Sequence, residues 1–131
     1  MPGKKFRAAL IQMDSGSRWE ENKKRAEEFL WDASAQGADY VQFPETVDYI
    51  GDDSASYARE YRGEAERFFS EMAEKYGVYL HCGSITEYQN QGRPKNTTLF
   101  YSPKGELLEK YSKLHLFDVD VEGGPSCRES D

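Results

Sequence analysis

The sequence is poor in cysteine and has no long apolar run. Its 131 residues contain two cysteines, Cys82 and Cys127, which is too few for a disulfide-stapled secreted domain or a structural zinc site. No window approaches the roughly 18 consecutive apolar residues of a membrane helix. The low cysteine count and the lack of a long apolar run predict a cytoplasmic protein with neither a bound metal nor a membrane partner.

Basic charge is also scarce. The chain has 17 Lys and Arg against 24 Asp and Glu, a formal net charge of −7, which argues against a nucleic-acid partner because such binding needs a basic surface. The sequence has no glycine-rich phosphate loop and no recognisable Ser-His-Asp set. We therefore predict that no cofactor is bound.

The first forty residues show the pattern of a strand, a helix and a second strand. Residues 6–13 and 40–43 are apolar runs, and the amphipathic stretch between them ends near Gly37, a typical C-terminal cap. Ser17 and Glu20 match a capping box, in which each side chain caps the other's backbone amide at the helix start. The order predicts a β-α-β unit with parallel strands and a right-handed crossover.

The rest of the chain predicts a second helix and an antiparallel hairpin. After a loop with a short helical turn, residues 64–76 have one apolar face, and residues 78–85 form an apolar strand. Residues 97–101 and 107–111 read as two strands joined by the turn Ser-Pro-Lys-Gly. The whole predicts an α/β (α+β) domain with a mixed sheet and helices on one or both faces.

Glu45 stands at an unusual place in the stretch Asp-Tyr-Val-Gln-Phe-Pro-Glu-Thr, residues 39–46. It follows directly after an apolar strand and Pro44. Burial disfavours a charged carboxylate, so an acid at the mouth of a buried strand is costly unless it has a task. Two interpretations remain open, a solvated loop residue and a catalytic base.

Other candidate groups are weaker when read alone. Lys113 follows the last predicted strand and could donate to a developing oxyanion, or could simply be solvated. His115 fits a packed histidine better than a catalyst, and Glu129 reads as a surface residue. Cys82 lies inside an apolar strand, which favours packing. Cys127, next to Arg128 in a loop, lacks the helix start that activates many thiols.

Taken together and in order, these segments resemble the nitrilase superfamily of carbon–nitrogen hydrolases. Residues 8–13 are similar to the first strand of that family, residues 37–45 to the strand that carries the catalytic glutamate, and residues 96–120 to the block that carries the catalytic lysine. The resemblance covers nearly the whole chain. Residues 48–57 and 123–130 look most like the branch of deaminated glutathione amidase and the ω-amidases.

The resemblance implies a fold and a set of roles. The fold would be the N-terminal half of a four-layer αββα sandwich, with residues 1–131 an incomplete carbon–nitrogen hydrolase domain. Glu45 would be the general base, Lys113 the cation that stabilises the oxyanion, and Glu129 a supporting glutamate. In this chemistry a cysteine thiolate attacks the carbon of a small amide and forms a thioester.

One part of the family pattern is missing from these 131 residues. In relatives the nucleophilic cysteine follows the lysine block, and neither Cys82 nor Cys127 occupies that place. The resemblance therefore predicts an amidase fragment that acts on a small amide when complete, and a homo-oligomer at full length. The alternative is a catalytically silent half-domain that only binds or pairs.

Overall fold

The computed structural model describes residues 5–113, together with the backbone of two short strands further on. This part of the chain contains three helices and eight strands. In chain order the elements are β1 (Ala8–Leu10), α1 (Trp19–Ala35), β2 (Tyr40–Gln42), α2 (Ser54–Glu60), α3 (Glu64–Tyr76), β3 (Tyr79–His81), β4 (Ile85–Glu87), β5 (Lys95–Tyr101), β6 (Leu107–Ser112), β7 (Asp118–Asp120) and β8 (Ser126–Arg128).

Six of the strands form one mixed sheet. Strands β1, β2 and β3 are parallel, whereas β5 pairs antiparallel with β3 and β4 on one side and with β6 on the other. Strands β7 and β8 form a separate antiparallel pair. The parallel β1-α1-β2 unit, the mixed sheet and the β5–β6 hairpin confirm the predicted α/β architecture.

Helices α1 and α3 pack on one face of the sheet. Side chains that alternate along the strands meet apolar helix residues there, and the members of this core that are fully buried include Leu30, Val41, Phe69, Leu80 and Leu99. The described residues thus form a helical layer on a sheet layer. Within them, no helix is long and apolar enough to cross a membrane.

Two details of the predicted first unit are wrong. The first strand spans Ala8–Leu10 instead of residues 6–13, because it pairs with only the three residues of β2. The capping box does not form: α1 has Arg18 at its N-cap position, one residue later than the box requires, and no side chain caps it. Instead the buried Asn22 side chain bonds the backbone of Gly16, as donor and as acceptor, at 2.9 Å each.

The strand predicted over residues 78–85 is broken in two. Strands β3 and β4 both pair with the same side of β5, but the pairing shifts by one residue between them. Gly83 lies at the break with φ +63°. This is the geometry of a β-bulge, in which an extra residue bends the strand and redirects the next side chains. Apolar periodicity alone does not show such a break, although a glycine inside a strand pattern is its usual sign.

The opposite face of the sheet carries exposed apolar side chains. Phe100 lies among Tyr40, Tyr79 and His81, with ring centroids 6.0 to 6.3 Å apart. Leu10 at one end of this face is 72% exposed. Exposed apolar side chains on one face of a sheet commonly mark a contact surface.

Candidate active site

Glu45 and Lys113 lie next to each other although 68 residues separate them in the sequence. The Lys113 ammonium donates to the Glu45 carboxylate, with Nζ and Oε1 3.3 Å apart. Glu45 leaves the end of β2 after Pro44, and Lys113 follows β6, whose last residues pair with β5. The Glu45 side chain is 60% exposed and the Lys113 side chain is 32% exposed. An ion pair this open contributes little to stability.

The pair stands at one side of an open pocket of about 330 Å³. The other residues that line it come from the end of β2, from β3 and the bulge after it, and from β5 and β6. The polar ones include His81, Ser84, Asn96, Thr98 and Tyr111. The sequence left two interpretations of Glu45 open, a solvated loop residue and a catalytic base. In the structure its side chain is mostly in solvent.

Gly83 brings the β3–β4 connection against the segment that carries Glu45. A Cβ at this position would lie 2.1 Å from the Pro44 carbonyl oxygen and 2.3 Å from that of Phe43. Both contacts are with backbone, which cannot rotate away. The close approach therefore requires glycine and fixes one wall of the pocket.

His81 lines the same pocket as the pair. Its Nδ1 accepts a hydrogen bond from the Gly83 N–H at 3.0 Å, so a neutral ring carries its proton on Nε2. Partial burial lowers the pKa of this imidazole. The ring lies in the pocket wall, a feature that the sequence did not suggest.

The two cysteines differ in what the structure says of them. Cys82 is fully buried in the core, and burial raises the pKa of its thiol well above the ordinary range, which confirms the predicted packing role. The Cys127 side chain lies outside the described residues, as do His115 and Glu129. In residues 5–113 no group of three or more His, Cys, Asp or Glu could hold a metal ion.

Asp48 is a buried acid that sequence reasoning missed. Its side chain is 1% exposed and accepts hydrogen bonds from the Thr86 N–H at 3.0 Å and from the Tyr57 hydroxyl at 3.0 Å. Burial raises the pKa of this carboxyl from 3.8 to about 6, against the opposing effect of these hydrogen bonds. Its spacing after the strand gave no sign of burial, because distant segments enclose it.

The raised pKa of Asp48 predicts a pH-dependent stability. The folded state holds this proton more tightly than the unfolded chain, so Asp48 costs stability above pH 6, and the cost fades as the pH falls from 6 towards 3.8. At about 1.4 kcal/mol per pKa unit the whole effect is about 3 kcal/mol. As the pH is lowered from 7.5 to 4, we expect the free energy of unfolding of the wild type to increase by about this amount relative to that of Asp48→Asn.

Urea unfolding at several pH values measures this difference. Asp32→Asn is the matched control, because Asp32 is an exposed residue of α1. Its curve is expected to run nearly parallel to that of the wild type. Parallel curves for Asp48→Asn as well would contradict the prediction.

Comparison with known proteins bears on this site. The family model for carbon–nitrogen hydrolases matches residues 7–131. The chain belongs to the carbon–nitrogen hydrolase family. Among its relatives, the ω-amidase NIT2 of Homo sapiens is 40% identical over 127 residues and that of Danio rerio 37% over 129. Each match covers at least 95% of this chain and 46% of the relative, so the chain spans about half the length of the curated relatives that it matches.

Solved structures of the family share the fold. The NitFhit protein of C. elegans is 28% identical with a TM-score of 0.85, over 94% of this chain and 31% of that one. An amidase from Nesterenkonia sp. is 22% identical with a TM-score of 0.78, over 89% of this chain and 46% of that one. The described sheet and helices therefore correspond to the N-terminal part of the nitrilase fold, as the resemblance implied.

Proposed function

We propose that this chain supplies the base and the cation of an amidase site that cleaves the amide of a small ω-amide substrate. The observation that carries the proposal is the contact of 3.3 Å between Glu45 and Lys113 at the pocket. A carboxylate and an ammonium group side by side provide both things that amide hydrolysis needs, a proton acceptor and a positive charge for the oxyanion. Glu129 keeps its proposed role as the supporting glutamate.

The steps follow from the two groups. Glu45 takes the proton of a thiol, whose sulfur attacks the amide carbon and forms a tetrahedral intermediate. Lys113 stabilises the negative oxygen of that intermediate. Glu45 then gives its proton to the leaving ammonia, which leaves a thioester, and afterwards activates the water that hydrolyses it.

We propose that the thiol comes from a segment beyond these 131 residues. A nucleophilic cysteine needs an accessible site that favours its thiolate. Cys82 fails on both counts, because it is fully buried and burial raises the pKa of its thiol. Cys127 does not occupy the position of the family nucleophile. By this proposal residues 1–131 are an incomplete hydrolase domain that is inactive alone.

Two proteins test the proposal. We expect the purified 131-residue chain to release no ammonia from glutaramate. We expect ammonia release from a chimera, in which the part of human ω-amidase NIT2 that follows the matched region is joined to this chain. A folded but inactive chimera would contradict the amidase proposal, and turnover by the chain alone that is lost on Glu45→Gln would contradict the missing thiol.

The open apolar face of the sheet favours a second candidate function, a half-domain that only pairs with another protein surface. We expect the 131-residue chain to bind the dye ANS through this face. Phe100→Ser is expected to reduce the fluorescence at least twofold, because Phe100 contacts three other rings there. Trp31→Ser is the control: Trp31 is 63% exposed on α1, away from this cluster. Equal fluorescence from all three proteins would contradict an accessible apolar sheet face.

Other features of the complete protein remain proposals. We infer a cytoplasmic location, in line with the low cysteine count, and a homo-oligomer of the full-length protein, in line with the family resemblance. Size-exclusion chromatography of the chimera measures the second directly. A monomeric active chimera would contradict it.

A further inference from the structure

The residue after Glu45 is held in a strained conformation. Thr46 has φ +51°, and it is the single non-glycine residue with positive φ in the part of the chain that the structure describes. Threonine is branched at Cβ and rarely adopts this conformation. Strain of this kind persists when neighbouring contacts impose it, and it concentrates at functional sites. The turn that directs Glu45 towards Lys113 must therefore be held from outside.

The bulged strand holds the near end of this turn. The Ser84 hydroxyl accepts the Thr46 N–H at 2.8 Å, and the Ser84 carbonyl accepts the Val47 N–H at 3.0 Å. Ser84 comes directly after Gly83, so the bulge places it against the turn. These two bonds restrain the backbone next to Glu45.

Asp48 holds the far end of the turn on the same strand. Its two carboxylate oxygens receive the Thr86 N–H at 3.1 and 3.0 Å, and one of them also lies 3.4 Å from the Thr86 hydroxyl. The Tyr57 hydroxyl donates to the carboxylate as well. A carboxylate accepts on both oxygens, and charge-assisted bonds of this type are stronger than neutral ones. An asparagine side chain could accept hydrogen bonds on one oxygen only, because its other terminal group is a donor.

This arrangement is unfavourable for stability taken by itself. Among the described residues, no ion pair joins Asp48 to a cation. The partly buried Glu66 is close enough for its charge and that of Asp48 to repel each other. A buried carboxylate with no cationic partner among the described residues, close in sequence to a candidate site, is a common sign of a functional role. A role confined to folding would be met better by a neutral side chain.

We propose that Asp48 is a positioning residue for Glu45, which ties the turn 45–48 to β4 and so keeps the Glu45 carboxylate within reach of the Lys113 ammonium. The meaning of this geometry for catalysis rests on the proposed function. The geometry itself can be measured without turnover. An inactive chimera and a failure of the positioning role are therefore separate results.

Nuclear magnetic resonance of the 131-residue chain at pH 7.5 tests the role. The signal is the Lys113 Cε resonance, assigned by its loss in Lys113→Met, and the readout is its shift when Glu45 is replaced by Gln. In the Asp48→Asn background we expect this shift to fall at least twofold, while the melting temperature stays at or above that of the wild type. In the Asp32→Asn background we expect the full shift.

The outcomes separate positioning from a purely structural role. A folded Asp48→Asn chain that keeps the full shift would overturn the proposal. If Asp48→Asn does not fold, Tyr57→Phe decides, since it removes one hydrogen bond to Asp48 and keeps the ring. A reduced shift in Tyr57→Phe supports positioning, and a full shift overturns it.

Discussion

Glu45→Gln is expected to lower kcat of the active chimera by about 10²- to 10⁴-fold, the usual contribution of a positioned general base. Glutamine keeps the size of the side chain but cannot take a proton from the thiol. The loss is expected in kcat and in kcat/KM alike, because proton transfer belongs to the transition state and not to substrate binding. Initial rates of ammonia release over a range of glutaramate concentrations measure both constants.

A second variant and a control complete this test. Lys113→Met is expected to cost about 10²- to 10³-fold in kcat, the usual effect of removing one oxyanion donor. Glu28→Gln, an exposed position on α1, is expected to leave both constants unchanged. Full activity of Glu45→Gln would show that another group acts as the base.

Gly83→Ala is expected to destabilise the chain by about 3–4 kcal/mol, through a backbone clash and a disfavoured dihedral angle. The added Cβ would meet the carbonyl oxygens of Pro44 and Phe43 at 2.1 and 2.3 Å, and the position has φ +63°. Relief would require β2 and the bulge to move apart. Such movement would displace Glu45. In the Gly83→Ala background, the Lys113 Cε resonance should therefore no longer shift when Glu45 is replaced by Gln.

Urea unfolding followed by circular dichroism measures this loss, and another glycine supplies the control. Gly16 has no heavy atom within 4 Å of an added Cβ and no positive φ. Gly16→Ala is therefore expected to change the unfolding free energy by less than about 0.5 kcal/mol. A Gly83→Ala chain as stable as the wild type would show that the pocket wall yields easily.

Local sequence patterns predicted the elements well where one periodicity dominates. Helix α3 occupies Glu64–Tyr76 as its apolar face predicted, and the Ser-Pro-Lys-Gly turn joins β5 to β6. The patterns failed where contacts with distant segments decide. The capping box of α1 is unused, and the strand around Gly83 is broken by a bulge that accommodates Pro44.

The sequence by itself determined the β-α-β order, the family motifs and the presence of an acid directly after a buried strand. It left open whether Glu45 was solvated or catalytic. The tertiary structure decided that Glu45 is largely exposed, that it contacts Lys113, and that Asp48 is buried beside the turn. The physical reason is range: periodicity and caps report contacts within a few residues, whereas these three facts depend on strand register across 38 to 68 residues.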